Sequence, residues 1–137
     1  MSRGWLFMDT LATSNFVLVV EDEPLLNLDV SEALRDDGLD PIQVDTAEAA
    51  LAVLERRGDI RFVFTDVNLP GKIDGIALAE QIQRRWPQID VLITSGQRQA
   101  RLERSDLVTR HDRFVPKPYR AEAVARHIHE IIDAQAA

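Results

Sequence analysis

Short apolar runs alternate with amphipathic stretches along most of the chain. The first run, Phe16–Val20, is uninterrupted and rich in β-branched residues, which is typical of a strand buried on both faces of a parallel sheet. Four further runs have the length of a strand and lie at residues 41–44, 61–65, 90–94 and 113–116. The pattern therefore predicts five strands.

Helical periodicity separates the predicted strands, and several residues mark where helices begin and end. Pro24 can open the first helix because its missing N–H costs little there, and Gly38 is suited to closing it. Asp45 with Glu48 resembles a capping box for the second helix, and Asp74 can cap the third. These signals place one helix after each of the first three strands.

The fourth and the last helix differ in the strength of their pattern. Residues 97–112 should hold the fourth helix, but this segment is mostly polar, so we expect a weak or irregular fourth helix. A last helix is predicted over residues 121–134, where apolar residues recur at helical spacing.

Regular alternation of strands and helices predicts an α/β fold. We expect a doubly wound five-stranded parallel sheet with the flavodoxin-like strand order 2-1-3-4-5. A chain of 137 residues suits one hydrophobic core, so residues 15–137 are assigned to one domain and residues 1–14 to an N-terminal tail. The sequence leaves open whether Met1 or Met8 is the natural start.

Composition narrows the classes of function. The absence of cysteine excludes disulfides, thiol catalysis and thiolate metal sites. A formal net charge of −7 argues against nucleic-acid binding. No stretch approaches the roughly 18 apolar residues that a membrane span needs, so we expect no membrane association and a cytoplasmic location. The histidines show no metal-ligand spacing, and His129 is expected on the surface.

Acidic side chains follow the first and third predicted strands. Glu21 and Asp22 come directly after the first strand, and Asp66 follows the third. Doubly wound sheets bind ligands beyond the carboxyl ends of their strands, where the strand order reverses. Two like charges about 4 Å apart repel by roughly 4 kcal/mol at an effective dielectric constant near 20, so either a proton is retained or a cation binds. Oxygen ligands favour a hard ion, Mg²⁺ or alternatively Mn²⁺.

The fourth and fifth strands add complementary groups at the same edge. Ser95 offers a hydroxyl, Gly96 leaves the backbone uncluttered, and Lys117 offers a positive charge. Lys117 lies about two strand spacings, or roughly 10 Å, from the third strand, which an extended lysine can largely bridge. Each residue alone has an ordinary structural explanation as a cap, a turn or a surface group. Together, a carboxylate, a metal, a hydroxyl and an ammonium describe an acyl-phosphate site.

Four segments of the chain resemble the receiver domain of two-component response regulators, in the CheY-like superfamily. The resemblance runs from about residue 16 to residue 133 and rests on VLVVEDE (17–23), TDVNLPG (65–71), TSG (94–96) and FVPKPY (114–119). It identifies residues 15–137 as a receiver domain with the flavodoxin-like fold already expected.

The resemblance implies roles at the acidic positions. Asp66 would be the phosphoacceptor. Glu21, Asp22 and Asp66 would hold Mg²⁺, and Asn68 would contribute its backbone carbonyl to the metal. Glu21 departs from the Asp that is commoner at its position, but its longer arm should still serve.

The resemblance also implies roles on the fourth and fifth strands. Ser95 would hydrogen-bond the phosphoryl group and act as a switch residue. Lys117 would pair with a phosphoryl oxygen, and the peptide bond between Lys117 and Pro118 is expected to be cis. Phe114 occupies the rotating aromatic position of the switch but lacks a phenol hydroxyl, so it would act by packing alone. Residues 71–73 make the loop after the third strand one residue longer than the common pattern.

These features predict a stand-alone receiver that takes its phosphoryl group from a sensor histidine kinase or a histidine phosphotransfer protein and then binds a downstream protein partner. We expect a phosphorelay signalling domain and not an enzyme with a separate substrate. Homodimerisation stays open. One alternative is a non-phosphorylated interaction module with the receiver fold. Another is a haloacid-dehalogenase-like phosphatase, which needs a second Asp where this chain has Asn68.

Overall fold

A computed structural model describes residues 14–96 and 113–136 of the chain. Its five strands form one parallel sheet in the predicted order, β2-β1-β3-β4-β5. The strands are β1 (Phe16–Val20), β2 (Asp40–Val44), β3 (Ile60–Asp66), β4 (Asp90–Ser95) and β5 (Phe114–Pro116). Each predicted strand boundary lies within one residue of the observed boundary.

Four helices connect or follow these strands in the described residues. They are α1 (Pro24–Asp36), α2 (Ala47–Arg56), α3 (Gly75–Arg85) and α4 (Ala121–Ala136), the last of which is the predicted C-terminal helix. The weak or irregular fourth helix was predicted at residues 97–112, which lie outside the described residues, as do residues 1–13 of the predicted tail. No helix in the described ranges is long and apolar enough to cross a membrane.

The core lies in two apolar layers, one on each face of the sheet. Side chains of β1 alternate between them, because successive residues of a strand point to opposite faces. Leu18 and Val20 join the layer under α2 and α3, whereas Val17 and Val19 join the layer under α1 and α4. Burial on both faces explains why the β1 sequence is continuously apolar.

Register brings the carboxyl ends of the strands to one edge of the sheet. Val20 at the end of β1 lies opposite Val44 of β2 and Thr65 of β3. Asp66 at the end of β3 lies opposite Thr94, and Ser95 at the end of β4 lies opposite Pro116. Residues that directly follow these strands are therefore neighbours in space.

Helix ends agree with the sequence signals with one exception. Gly38, just after α1, has a φ of +84°, as expected of a closing glycine. Asp74 caps α3, its carboxylate accepting a hydrogen bond from the Ala77 N–H at 2.9 Å. The predicted capping box of Asp45 and Glu48 is wrong, because the residue that caps α2 is Thr46.

Thr46 is the last extended residue before α2, and its hydroxyl accepts a hydrogen bond from the Ala49 N–H at 3.0 Å. Threonine at this position meets the same need as the predicted aspartate, because it satisfies one of the free N–H groups of the first turn. Glu48 instead accepts a hydrogen bond from the backbone N–H of Lys72, in the loop after β3.

Candidate functional site

Three carboxylates meet at the edge of the sheet where the strand order reverses. Glu21 and Asp66 are 3% and 4% exposed, and Asp22 beside them is exposed. Each residue places one carboxylate oxygen within 4.8 Å of the corresponding oxygens of the other two. The structure thus brings together the three acidic residues that the sequence singled out.

Lys117 reaches into this cluster from the end of β5. Its Nζ donates to Asp66 Oδ2 at 2.7 Å and to Glu21 Oε1 at 3.2 Å. Its backbone N–H donates to the Ser95 carbonyl at 3.0 Å, and the peptide bond that joins Lys117 to Pro118 is cis. The ammonium is therefore held between two buried carboxylates.

The charges of Lys117 and Glu21 are set by this arrangement. Burial lowers the pKa of Lys117, but the hydrogen bond and charge of Asp66, followed by the charge of Glu21, raise that pKa above its usual range. Burial raises the pKa of Glu21, and the charge of Asp66 adds to the rise. Two contacts lower the pKa of Glu21 in opposition to this rise. They are the hydrogen bond that the Glu23 N–H donates to the Glu21 carboxylate at 3.2 Å and the interaction with Lys117. The site therefore holds the charged ammonium of Lys117 beside Glu21, whose ionised form is disfavoured by burial.

A buried amide that the sequence analysis missed supports Glu21 from α1. The Asn27 Nδ2 lies 3.1 Å from the Glu21 carbonyl, 3.1 Å from the Val44 carbonyl and 3.3 Å from the Val19 carbonyl. Asn27 Oδ1 accepts a hydrogen bond from Ser31 at 3.2 Å. These bonds fix α1 to the ends of β1 and β2. The signal was a polar residue on the apolar face of a predicted helix.

The backbone around Asp66 is tightly constrained. Asp66 Oδ1 accepts a hydrogen bond from the Asn68 N–H at 3.1 Å, and the Val67 N–H donates to the Thr94 carbonyl at 2.9 Å. A Cβ added to Gly75 would lie 1.9 Å from the Asp66 carbonyl oxygen, so only glycine lets α3 begin this close to β3. One carboxylate oxygen of Asp66 thus accepts a hydrogen bond from Lys117, and the other accepts one from the loop after β3.

The two predicted switch residues lie on neighbouring strands. Ser95 ends β4 and is 2% exposed. Phe114 begins β5 opposite Ile93 and packs, partly buried, against the apolar layer that includes Val20. Ser95 therefore stands at the site edge, whereas Phe114 lies three residues before Lys117 along the chain.

Tyr119 is a second residue whose environment the sequence analysis did not anticipate. Its ring meets Phe64 edge to face, with centroids 5.7 Å apart. Burial, followed by the charge of Glu21, raises the pKa of Tyr119 to about 12. The phenol therefore stays protonated beside the anionic cluster.

The donor set fits a hard divalent cation. Glu21, Asp22 and Asp66 offer only carboxylate oxygens, and the ammonium of Lys117 offsets one of their three formal charges. Hard cations with oxygen ligands suit this remaining negative charge. The cluster could hold a metal ion through these three residues.

Comparisons with known proteins agree with the observed fold. The family model described as the response regulator receiver domain matches residues 17–129. The chain is 37% identical over 117 residues to the response regulator protein FleR of Pseudomonas aeruginosa, covering 81% of this chain and 24% of that protein. It is 27% identical to the sensor kinase CckA of Brucella abortus, covering 91% of this chain and 13% of that protein. The chain thus spans a quarter or less of these two relatives.

Solved structures share the same fold. A CheY-like response regulator receiver domain protein from Methanospirillum hungatei superposes with a TM-score of 0.80 at 21% identity, covering 90% of this chain and 97% of that one. The response regulator protein TrrA from Thermotoga maritima, solved in complex with Mg²⁺–BeF, gives a TM-score of 0.71 at 24% identity, covering 85% and 98%. At these identities the likeness concerns the fold.

Proposed function

Because this chain belongs to the response regulator receiver domain family, we propose that Asp66 accepts a phosphoryl group beside a Mg²⁺ ion held by Glu21, Asp22 and Asp66. Receiver domains take their phosphoryl group from histidine kinases, and they are signalling domains. The observation that carries the proposal is the convergence of three carboxylates and the Lys117 ammonium on the end of β3. The Mg²⁺–BeF complex of TrrA adds support for the ion.

Each residue has a part in the transfer. A carboxylate oxygen of Asp66 attacks the phosphorus of a phosphohistidine in line, the P–N bond breaks, and the imidazole leaves with its electron pair and takes a proton from water. Bound Mg²⁺, with the Asn68 backbone carbonyl among its ligands, would offset charge on the phosphoryl oxygens. Lys117 moves its ammonium from Asp66 Oδ2 onto a phosphoryl oxygen, and the Ser95 hydroxyl donates to another.

Phosphorylation would change a surface through Ser95 and Phe114. The aspartyl phosphate carries about −1.5 to −2 charges in place of the single negative charge of the Asp66 carboxylate, and this more negative group draws the Ser95 hydroxyl inward and lets Phe114 repack against the apolar layer. A downstream protein partner would distinguish the two states, and a second copy of the chain is an alternative partner. The donor would be a sensor histidine kinase or a histidine phosphotransfer protein in the cytoplasm.

Phosphorylation with acetyl phosphate and intact mass measurement test the proposal. The wild-type chain should gain a single phosphoryl adduct when acetyl phosphate and Mg²⁺ are present, and should gain none when EDTA removes the ion. Asp66→Asn should gain none in either buffer. Asp40→Asn is the matched control, because Asp40 is an exposed carboxylate at the opposite edge of the sheet, and this variant should be modified like wild type.

Two outcomes would contradict the proposal in different ways. A folded wild-type chain that gains no adduct would favour the non-phosphorylated interaction module. Repeated turnover of many phosphoesters without a stable adduct would favour a phosphatase, despite Asn68 standing where the dehalogenase-like enzymes need a second Asp.

A further inference from the structure

Glu48 links helix α2 to the middle of the loop between β3 and α3, which we call the 67–74 loop. Its Oε2 accepts a hydrogen bond from the Lys72 N–H at 2.9 Å, across 24 residues of sequence. This bond lowers the pKa of Glu48, with further lowering from the backbone N–H groups of Glu48 itself and of Ile73. The carboxylate is therefore ionised while it faces two successive N–H groups of the loop.

The shape of the loop is matched to this carboxylate. Gly71 has a φ of +107°, a conformation that favours glycine. A Cβ added there would lie 2.7 Å from Glu48 Oε1 and 2.8 Å from Glu48 Oε2. Gly71 thus lets the chain turn and also leaves the space in which the Glu48 carboxylate sits. The charge of Glu48 strengthens the hydrogen bond from the Lys72 N–H, but this bond is exposed, so solvent screens part of the gain.

The 67–74 loop is bonded to Asp66 at its start and is closed by a backbone hydrogen bond at its end. At its start, the Asn68 N–H donates to Asp66 Oδ1 at 3.1 Å. At its end, the Gly75 N–H donates to the Val67 carbonyl at 2.8 Å. Glu48 therefore restrains the middle of a loop whose first residues touch Asp66.

We propose that Glu48 is a positioning residue, which holds the 67–74 loop so that the backbone at Asn68 stays in place beside Asp66 and the bound ion. The inference rests on the proposed function. Groups that orient metal ligands commonly change metal affinity by about 10- to 100-fold when removed. Glu48 acts through a segment of loop, so a smaller effect, about 5-fold, is expected for it.

Three variants test the role of Glu48. Glu48→Ala removes both acceptors, whereas Glu48→Gln keeps one oxygen acceptor and loses the charge. Glu55→Ala is the matched control. Glu55 lies on the same helix, but its carboxylate pairs with the Arg85 guanidinium, at 3.0 Å, and not with the 67–74 loop. Mg²⁺ affinity is measured by calorimetry, protection of the Lys72 amide by hydrogen exchange, and folding by urea titration.

Glu48→Ala should weaken Mg²⁺ binding about 5-fold and speed exchange of the Lys72 amide, with Glu48→Gln in between and Glu55→Ala at the wild-type value. Phosphorylation by acetyl phosphate should be slow in Glu48→Ala at low Mg²⁺ and recover when Mg²⁺ is saturating. That recovery separates positioning from general damage to the fold. If Glu48→Ala does not fold, Glu48→Gln decides on the same measurements.

Wild-type Mg²⁺ affinity in a folded Glu48→Ala variant would overturn the inference, as would equal effects of the Glu48 and Glu55 variants. These results would leave the proposed function standing, because Asp66→Asn would still abolish the adduct. Conversely, a wild-type chain that binds Mg²⁺ but accepts no phosphoryl group would refute the proposed function, and the comparison of Mg²⁺ affinities would still decide the role of Glu48.

Discussion

The ammonium of Lys117 at the candidate site pairs with two buried carboxylates. Lys117 donates to Asp66 and to Glu21, whose side chains are 5% and 2% exposed. Since buried charges of one sign repel strongly in a medium of low polarity, this contact offsets the repulsion between the two carboxylates. Lys117 thus has a structural role in addition to the proposed catalytic one.

Removing the ammonium should therefore cost stability in a way that Mg²⁺ repairs. We expect Lys117→Ala to lower the free energy of unfolding by about 1–3 kcal/mol in EDTA, because Glu21 and Asp66 lose their charged partner. The loss should shrink in excess Mg²⁺, since the cation compensates the same carboxylates. Urea titrations in both buffers measure this. Lys72→Ala, which changes the chain's other lysine, is the control and should match wild type. If Lys117→Ala lost equal stability in both buffers, Lys117 and Mg²⁺ would not be compensating the same carboxylates.

At the scale of residues, strand geometry made some positions predictable from sequence, whereas contacts that depend on side-chain reach were missed. Glu21, Asp66 and Lys117 were foreseeable, because parallel strands bring their carboxyl ends to one edge. The contact of Lys117 with Glu21 as well as Asp66 was not, since it depends on the path of a flexible side chain. The three carbonyls near Asn27 depend likewise on how deeply α1 sits against the sheet.

Among the elements, β3 and α3 approach each other closely near the site. A Cβ on Gly75 would meet the Asp66 carbonyl oxygen at 1.9 Å and the Val67 Cα at 2.9 Å. Both obstacles are backbone atoms, which cannot rotate away. The position of α3 relative to Asp66 therefore depends on the missing side chain.

Gly75→Ala should consequently damage both the fold and the site. We expect it to lower the free energy of unfolding by about 3 kcal/mol or more, at the upper end of overpacking effects, and to weaken Mg²⁺ binding. Gly96→Ala is the matched control, because the nearest atom to its added Cβ is the Lys117 Cβ at 4.0 Å. Urea titration and calorimetry compare the two. A Gly75→Ala variant as stable as Gly96→Ala would show that α3 can shift at little cost.

Predictions for whole elements were accurate for strands and weaker at helix ends. β1 is apolar throughout, and β3 and β4 are apolar in their middle, with β-branched residues in each, because these positions are buried on both faces of the sheet. The cap of α2 was assigned to Asp45 when Thr46 fills that position. Adjacent residues of similar capping ability differ only in local backbone angles, which sequence does not encode directly.

For the molecule as a whole, the candidate site joins distant parts of the chain. Lys117 is 96 residues from Glu21 and 51 from Asp66 along the sequence. The doubly wound topology, predictable from alternation alone, accounts for their meeting. Contacts between helices on the outside of the sheet were not predictable, because no periodic pattern specifies them. His129 was expected to be an ordinary surface residue, yet it connects α4 to the end of α1.

The connection through His129 should make stability depend on pH. His129 Nδ1 lies 2.6 Å from Asp37 Oδ2 and Nε2 lies 3.4 Å from Asp133 Oδ2. The hydrogen bond to Asp37, with the charge of Asp133, raises the pKa of His129 above 6.5 against the effect of burial. The folded state then binds the proton more tightly than the unfolded state, so this stabilisation is complete below pH 6.5 and is lost as pH rises through the raised pKa.

Because the His129 side chain is 38% exposed, solvent screening limits its stabilisation to less than about 1 kcal/mol. Urea titrations at a series of pH values should show this decline in the wild-type chain. Asp37→Asn and His129→Gln should flatten it, since each removes one member of the pair that links the two helices. His127→Gln, on the same helix, should keep the wild-type slope. An unchanged slope in His129→Gln would assign the pH dependence to another group and leave the contact between α1 and α4 without a role in proton linkage.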